Sequence, residues 1–126
     1  MTIHAVKINR WPAADPAGAG WDILDGPDLK LVIRDAGQIL YSSPTFYEDA
    51  INGQTILFSP EVSIFLPDRP LTFDVYDYDD GLSSDDFIGG IVAKVYQEGQ
   101  NFPNTFTLDC AGCKVSVDVT VSYFFD

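Results

Sequence analysis

Hydrophobic and polar residues alternate along most of this chain. In the segment KVSVDVTVSYFF, valines occupy every second position from Val115 to Val121, and polar side chains occupy the positions between them. The segment LTFDVY alternates in the same way, and this period of two is typical of an antiparallel strand with one buried face. Residues 43–54 allow one short turn of helix, but no window of ten or more residues shows a helical stripe. The pattern therefore predicts an all-β chain.

Turn-forming sequences such as RDAGQ, LPDRP and CAGC separate the alternating runs. The last alternating run contains CAGC as a hairpin, and counting the two arms of this hairpin separately gives nine runs in total. One of the two runs between residues 54 and 66 is not required to be a strand, which leaves eight. Short strands at this spacing predict an eight-stranded antiparallel two-sheet β-sandwich. We expect a single domain over residues 1–126, either whole or excised from a longer protein. The predicted strands cover residues 2–10, 28–35, 38–42, 54–59, 61–66, 70–77, 87–95 and 104–124.

Composition narrows the class of protein. With 46% hydrophobic and 13% aromatic residues the chain can fill a core, which excludes a disordered protein. The formal net charge of −12 argues against binding to nucleic acid and against a polybasic contact with anionic lipid, but it permits a cation as partner. No apolar run approaches the roughly 18 residues of a membrane helix, and the first residues lack the pattern of a signal peptide. We therefore expect a soluble or peripheral membrane protein.

Acidic residues are concentrated in the stretch DVYDYDDGLSSDDFIGG, residues 74–90, which joins two predicted strands. Continuing the alternation past Val75 places Asp77 and Asp79 on one side of the strand exit, with α-carbons about 7 Å apart. Without a cation these carboxylates repel each other, since two unit charges about 4 Å apart cost on the order of 4 kcal/mol at an effective dielectric constant of 20. A cation would allow them to converge. The clustering therefore indicates a metal site.

A second acidic cluster, Asp22, Asp25 and Asp28 in GWDILDGPDLKLVI, precedes another predicted strand. If both clusters lie at the same end of the sandwich, five or more carboxylates share one pocket. The donors are all oxygens, which suits Ca²⁺ better than Mg²⁺ and leaves zinc without nitrogen or sulfur ligands. An EF-hand does not fit, because strands flank the loop and Tyr76 stands where that motif needs its first aspartate. Further oxygen donors in the stretch are Asp80, Ser83 and Ser84.

The two cysteines, Cys110 and Cys113, form the tetrad CAGC. A lone CxxC pair is compatible with half a zinc site, a redox pair or a disulfide, but no second CxxC or nearby histidine completes a metal set, since the only histidine is His4. A redox motif is expected to open a helix, whereas these flanks alternate as strands and Ala-Gly fits a two-residue turn. We interpret CAGC as a hairpin tip whose cysteines can form a disulfide.

The acidic segments resemble the calcium-binding loops of C2 domains, a family found in synaptotagmins and conventional protein kinase C. The sequence DYD, a short serine-containing loop and DDFIG resemble the third loop, and DILDGPD followed by LKLVI has the spacing of the first. Strands and loops follow the family's order over most of the chain. One predicted strand before the first loop and three runs after the third match the family's type II topology.

The resemblance implies a β-sandwich that binds two or three Ca²⁺ ions. Asp85 keeps the family's usual spacing from Asp79, whereas matching Asp86 to the aspartate of DFIG makes the loop one residue longer. The family's Asp-Pro-Tyr after the first loop is replaced by DLK at residues 28–30, and its lysine-rich phosphoinositide-binding strand is not found. The implied ligands are Asp22, Asp28, Asp77, Asp79 and either Asp85 or Asp86.

Family members commonly dock on membranes, where bound calcium neutralises the loop charge and bridges lipid phosphates. The resemblance therefore implies Ca²⁺-dependent association with phospholipid membranes. Three apolar residues within the acidic segments, Ile23, Leu24 and Leu82, are candidate insertion tips. Packing against Trp21 is the alternative role of Ile23 or Leu24.

Two other functions stay open. Calcium can rigidify the loops of a protein-interaction or structural module, or it can stabilise a carbohydrate-binding sandwich with an aromatic stacking platform. Enzymatic activity is not expected, because no nucleophile–base pair is apparent and crowded carboxylates suit ligation better than acid–base catalysis. His4 is interpreted as a strand residue. The candidate platform residues, for which packing is the alternative role, are Trp11, Trp21, Tyr41 and Tyr47.

Overall fold

The computed structural model describes residues 1–12, 27–48, 50–51, 54–65, 69–78, 86–95 and 103–124. Within these ranges the chain forms nine strands and no helix, so the predicted all-β class is confirmed. The same ranges accordingly hold no helix long and apolar enough to cross a membrane. The strands are β1 (Thr2–Arg10), β2 (Leu29–Asp35), β3 (Gln38–Ser42), β4 (Ile56–Phe58), β5 (Val62–Ser63), β6 (Pro70–Asp77), β7 (Asp86–Lys94), β8 (Thr105–Leu108) and β9 (Ser116–Ser122).

The strands form two antiparallel sheets. In the first sheet β4, β1, β9 and β8 lie side by side in that order, and β5 pairs with the start of β1. In the second sheet the order is β3, β2, β6 and β7. Neighbours in each sheet run in opposite directions.

Alternation along the strands explains how the two sheets share one core. In the first sheet, Ile3, Val6 and Ile8 of β1 are buried beside the valines of β9. In the second sheet, Phe73 and Val75 of β6 are fully buried. All of these side chains belong to one apolar cluster, as expected when the inner faces of two sheets interdigitate. The arrangement is consistent with the predicted β-sandwich.

Two regions differ from the expectation. The predicted strands 54–59 and 61–66 are reduced to β4, of three residues, and β5, of two. Pro60 between them has no amide hydrogen to pair, and Glu61 adopts a left-handed φ of 52°. In the described part of residues 43–54 there is no helix; Tyr47 instead makes an antiparallel bridge with Leu29, and its hydroxyl donates to the carbonyl oxygen of Leu57 at 2.6 Å. This segment therefore connects the two sheets.

The β2–β3 hairpin contains a residue poorly suited to its conformation. Ala36 and Gly37 form a two-residue loop with φ of 50° and 89°, the positive values of a type I′ turn. A Cβ in the left-handed region costs roughly 1–2 kcal/mol, and asparagine tolerates that region best among residues other than glycine. Ala36→Asn should therefore raise the free energy of unfolding in urea by about 0.5–1 kcal/mol. Ala111→Asn, the same substitution at an exposed turn residue without a positive φ, is the control and should change little; equal gains would contradict the assignment.

Candidate metal-binding site

Three strand ends of the second sheet meet and bring acidic residues together. Leu29, the first residue of β2, pairs with Asp77, the last residue of β6. Asp77 also pairs with Asp86, the first residue of β7, and Asp28 directly precedes Leu29. Asp28, Asp77 and Asp86 thus lie at neighbouring strand ends, which we call the acidic end. The described ends of the two acidic segments, which are distant in sequence, therefore lie side by side.

A direct hydrogen bond links the two segments. The backbone amide of Asp28 donates to Oδ1 of Asp77 at 2.9 Å, and the amide of Tyr78 donates to the carbonyl oxygen of Asp28 at 2.8 Å. Both aspartates are half-buried. A carboxylate presents about four lone-pair positions, so an amide hydrogen bond at Oδ1 is compatible with cation binding. The amide therefore orients the Asp77 carboxylate without blocking ligation.

Aromatic packing supports the chain just beyond Asp77. The ring of Tyr78 stacks on that of Phe46, with centroids 4.4 Å apart and planes inclined by 19°. The ammonium group of Lys30 lies 6.0 Å from the centroid of the Tyr78 ring, at the outer limit of cation–π attraction. These contacts fix the exit of β6 and place a positive charge near the acidic end, where it offsets part of the carboxylate repulsion.

The described residues alone do not complete a metal site. Among them, no group of three or more His, Cys, Asp or Glu side chains converges closely enough to hold an ion. Asp86 is described through its backbone pairing with Asp77. The other candidates lie outside the described residues: the proposed donors Asp22, Asp25, Asp79, Asp80, Asp85, Ser83 and Ser84, and the proposed membrane tips Ile23, Leu24 and Leu82.

The cysteine tetrad lies in the hairpin between β8 and β9. Cys110 and Cys113 form a disulfide with α-carbons 5.2 Å apart, and the Cys113 amide donates to the Cys110 carbonyl oxygen at 3.1 Å. Arg10, the last residue of β1, donates to the carbonyl oxygen of Cys113 at 2.7 Å and to Asp109 at 2.6 Å. The hydrogen bond from Arg10 holds the pKa of the Asp109 carboxyl below its usual range. The hairpin is therefore attached to the strand end from which the first acidic segment departs.

Asp74 belongs to the acidic stretch in sequence, but it lies away from the acidic end. It is on the outer face of β6 at 9% exposure, where Arg34 of β2 donates to its Oδ2 at 2.5 Å. A Cβ at Gly90 of β7 would overlap Oδ1 of Asp74, so the glycine allows this carboxylate to lie against the sheet. Burial raises the pKa of Asp74, and Arg34 opposes that rise. Asp74 is thus the buried half of a partly buried ion pair and not part of the candidate metal site.

His4 has contacts that the sequence pattern does not reveal. Its two ring nitrogens lie within hydrogen-bond distance of Glu61 and Ser122, which are 57 and 118 positions away in the chain. Only the pairing of β1 with β5 and β9 brings these residues together. A local sequence pattern therefore carries no signal for this cluster.

Comparisons with models of known protein families and with curated proteins find no match to this chain. The case for a metal site therefore rests on the geometry of the acidic end and on the sequence pattern.

Proposed function

We propose that this protein is a C2-like, Ca²⁺-binding module of type II topology whose acidic loops associate with phospholipid membranes when calcium is bound. The observation that carries the proposal is the meeting of Asp28 and Asp77, 49 positions apart, through a 2.9 Å hydrogen bond at one end of the second sheet. The proposed ligands are Asp22, Asp28, Asp77, Asp79 and Asp85 or Asp86, with Asp25, Asp80, Ser83 and Ser84 as further donors.

The strand arrangement supports this proposal. Residues 11–28 connect β1 of the first sheet to β2 of the second, and residues 78–85 connect β6 to β7. The first connection finishes at Asp28 and the other begins beside Asp77, so both adjoin the acidic end. One strand precedes the first connection and three strands follow the other. That distribution is the basis of the type II assignment.

Electrostatics favour a divalent cation at the acidic end. Asp77 and Asp86 are ladder partners, and like charges directly opposite each other destabilise a sheet. Ca²⁺ accepts oxygen ligands in flexible geometry, and carboxylates, hydroxyls and loop carbonyls are the donors of these segments. Since about three such ions would reduce the net charge from −12 only by half, docking depends on local neutralisation and not on attraction by the whole protein.

Membrane docking would combine two contributions. Calcium ions held at the acidic end would bridge the carboxylates to lipid phosphates. Apolar side chains within the acidic segments would enter the boundary between headgroups and acyl chains, each contributing roughly 1.5–3 kcal/mol. The proposed tips are Ile23, Leu24 and Leu82.

Vesicle sedimentation tests the docking step. In excess Ca²⁺ the wild-type protein should pellet with vesicles of phosphatidylserine and phosphatidylcholine, and EGTA should return it to the supernatant. Asp77→Asn should raise the calcium concentration for half-maximal pelleting about tenfold, a change of about 1.4 kcal/mol. The matched control is Asp35→Asn, because Asp35 is the last residue of β2 and lies at the opposite end of the sheet. A protein that stays in the supernatant at saturating Ca²⁺ would contradict membrane docking, and equal shifts in both variants would contradict the role of Asp77.

A protein-interaction module with calcium-rigidified loops is the second candidate function. The observation that favours it is the exposure of apolar side chains on both edge strands of the second sheet, namely Ile39 of β3 (55% exposed) and Phe87 (48%) and Val92 (66%) of β7. Calcium binding without vesicle pelleting would favour this function. The carbohydrate-binding alternative has less support, because Trp11 is buried and Tyr41 and Tyr47 pack against the core; Trp21 lies outside the described residues, and a glycan array would test it.

A further inference from the structure

Ser122, His4 and Glu61 form a hydrogen-bonded row on the outer face of the first sheet. Oγ of Ser122 lies 2.6 Å from Nε2 of His4, and Nδ1 of His4 lies 2.8 Å from Oε2 of Glu61. Strand pairing explains the meeting, because Thr2 of β1 lies opposite both Ser122 of β9 and Ser63 of β5. A hydroxyl, an imidazole and a carboxylate thus follow one another.

The partners determine which nitrogen of His4 carries the proton. An ionised carboxylate only accepts hydrogen bonds, so the contact with Glu61 places the proton of the neutral imidazole on Nδ1. Nε2 then carries the lone pair, and the hydroxyl of Ser122 donates to it. This is the order in which a histidine acts as general base toward a serine nucleophile while an acidic residue orients the ring. The cluster therefore has the polarity that nucleophilic catalysis requires.

The backbone of Glu61 is a second, independent observation. Its φ of 52° lies in the left-handed region, which a residue with a side chain like that of glutamate rarely adopts. Strained conformations of this kind are concentrated at functional sites, where the surrounding structure maintains them. A glycine would relieve the strain but would remove the carboxylate that contacts His4. Unlike Ala36, which has a similar φ in an ordinary hairpin turn, Glu61 combines this backbone with a side-chain contact to His4.

The cluster is open to solvent, and a small recess begins at Ser63, on the β5 side of β1. The side chains of His4 and Glu61 are 40% and 61% exposed. Thr2 lies between Ser122 and Ser63 in the strand register, and its hydroxyl oxygen is 2.9 Å from that of Ser63. The Thr2 hydroxyl is therefore the neighbour that can donate to an oxyanion formed at Ser122. Ser63 also lines a cavity of about 200 Å³, which suits a short acyl group. The apolar lining of the cavity consists of Leu40, Ile64 and Phe65.

We propose that this cluster is a hydrolytic site that cleaves short-chain carboxylic esters. Ser122 is the nucleophile, His4 is the general base, and Glu61 is a positioning residue that orients His4. Neutral or cationic esters are the expected class, because the net charge of −12 disfavours anionic substrates. The recess also contains Asp35, which belongs to the end of the second sheet opposite the acidic end. The activity therefore does not depend on the calcium site.

The reaction balances without a cofactor. Oγ of Ser122 attacks the acyl carbon while Nε2 of His4 takes the hydroxyl proton. The bond between the acyl carbon and the alcohol oxygen then breaks, and the alcohol leaves with the proton from His4. A water molecule attacks the acyl-serine with His4 again as base, which releases the carboxylic acid and restores the Ser122 hydroxyl. One ester and one water give one acid and one alcohol.

The test is the reaction of the whole chain with p-nitrophenyl butyrate in EGTA. The wild-type protein should release a burst of p-nitrophenol that approaches one equivalent, and tandem mass spectrometry should find the butyryl group on Ser122. Ser122→Ala should abolish the burst. His4→Gln, which keeps a polar side chain but removes the base, should lower the acylation rate about 100-fold or more. Thr120→Ala is the matched control, because Thr120 is an exposed hydroxyl residue on the same strand, and it should leave the burst unchanged.

Two variants separate the positioning role of Glu61 from a structural one. Glu61→Gly relieves the left-handed backbone, so its melting temperature should not fall below that of the wild type, yet its acylation rate should fall about tenfold. Glu61→Gln keeps a hydrogen-bond acceptor for Nδ1 and should retain an intermediate rate. Unchanged acylation in both variants would show that Glu61 does not position His4.

Three outcomes would overturn the hydrolytic site. The first is that Ser122 is acylated no faster in the folded protein than in urea. The second is that the wild type and His4→Gln are acylated at equal rates. The third is a full burst in Ser122→Ala. Because the assay contains EGTA, its result is independent of whether calcium binds at the acidic end.

Discussion

Replacing Arg34 with methionine should lower the free energy of unfolding at pH 7 by about 2–4 kcal/mol. The Arg34 and Asp74 side chains are 25% and 13% exposed, with Nη1 and Oδ2 at 2.5 Å. Methionine keeps an unbranched apolar stem on the sheet but removes the cation, so the Asp74 carboxylate stays buried without its partner. Gly90 gives that carboxylate its place against β7, and the paired backbones leave it little room to move. The cost of the unpaired charge therefore falls on the folded state.

The destabilisation should shrink as the pH falls. Burial raises the folded-state pKa of Asp74 above its ordinary 3.8, and Arg34 opposes that rise. Removing Arg34 therefore raises this pKa further. The folded state then holds the proton of Asp74 more tightly than the unfolded chain does. Protonated Asp74 therefore favours folding below its ordinary pKa of 3.8, and this contribution is lost as the pH rises through the folded-state pKa. The unfolding free energies of the wild type and Arg34→Met should therefore differ most near pH 7 and least near pH 3.8.

Urea unfolding at a series of pH values measures both effects. The matched control is the double variant Arg34→Met/Asp74→Asn, which has no titrating group at position 34 or 74. The difference in unfolding free energy between it and Arg34→Met should therefore grow toward pH 7 and vanish as the pH falls. A loss below about 0.5 kcal/mol at pH 7, which is typical of an ordinary surface substitution, would contradict the buried-pair interpretation. So would a loss that does not change with pH.

The bounds of three strands were predictable from the runs that the turn-forming sequences separate. For β1, β3 and β6 the predicted ranges 2–10, 38–42 and 70–77 agree with the structure. The ends of other strands depend on where the neighbouring strand stops, which alternation does not report. The first arm of the predicted run 104–124 is therefore short in the structure, since β8 covers Thr105–Leu108 and the disulfide turn follows.

Side-chain partners were predictable only where chain connectivity determines them. Placing both acidic loops at one end of a sandwich implies that Asp28 and Asp77 lie close, and the structure joins them; ligation of a metal stays a prediction. Alternation places Asp74 on the outer face of β6, but its partner Arg34 is 40 positions away and is selected by the strand register. For the same reason, alternation does not predict the contacts of His4 with Glu61 and Ser122.

Saturating Ca²⁺ should raise the free energy of unfolding of the wild-type protein, by about 2.7 kcal/mol when the ion is present at 100 times its dissociation constant. Asp77→Asn should lose most of this increment. The amide oxygen of asparagine can still accept the hydrogen bond from the Asp28 backbone, so the substitution removes the charge and keeps the local geometry. In EGTA the same variant should be as stable as the wild type or more stable, because Asp77 lies opposite Asp86 in the ladder and like charges there are destabilising.

The sign of the Asp77→Asn effect should therefore reverse between EGTA and Ca²⁺, and a structural role alone cannot produce that reversal. Asp35→Asn provides the comparison, because Asp35 ends β2 at the other end of the sheet and its Oδ1 lies 3.0 Å from Nη2 of Arg69. This variant should lose a similar amount of stability in both conditions and keep the full calcium increment. If the wild-type protein gains no more from Ca²⁺ than Asp77→Asn does, the acidic end does not bind calcium, and the like-charged strand ends must be stabilised by the contacts of Lys30 and Tyr78 instead.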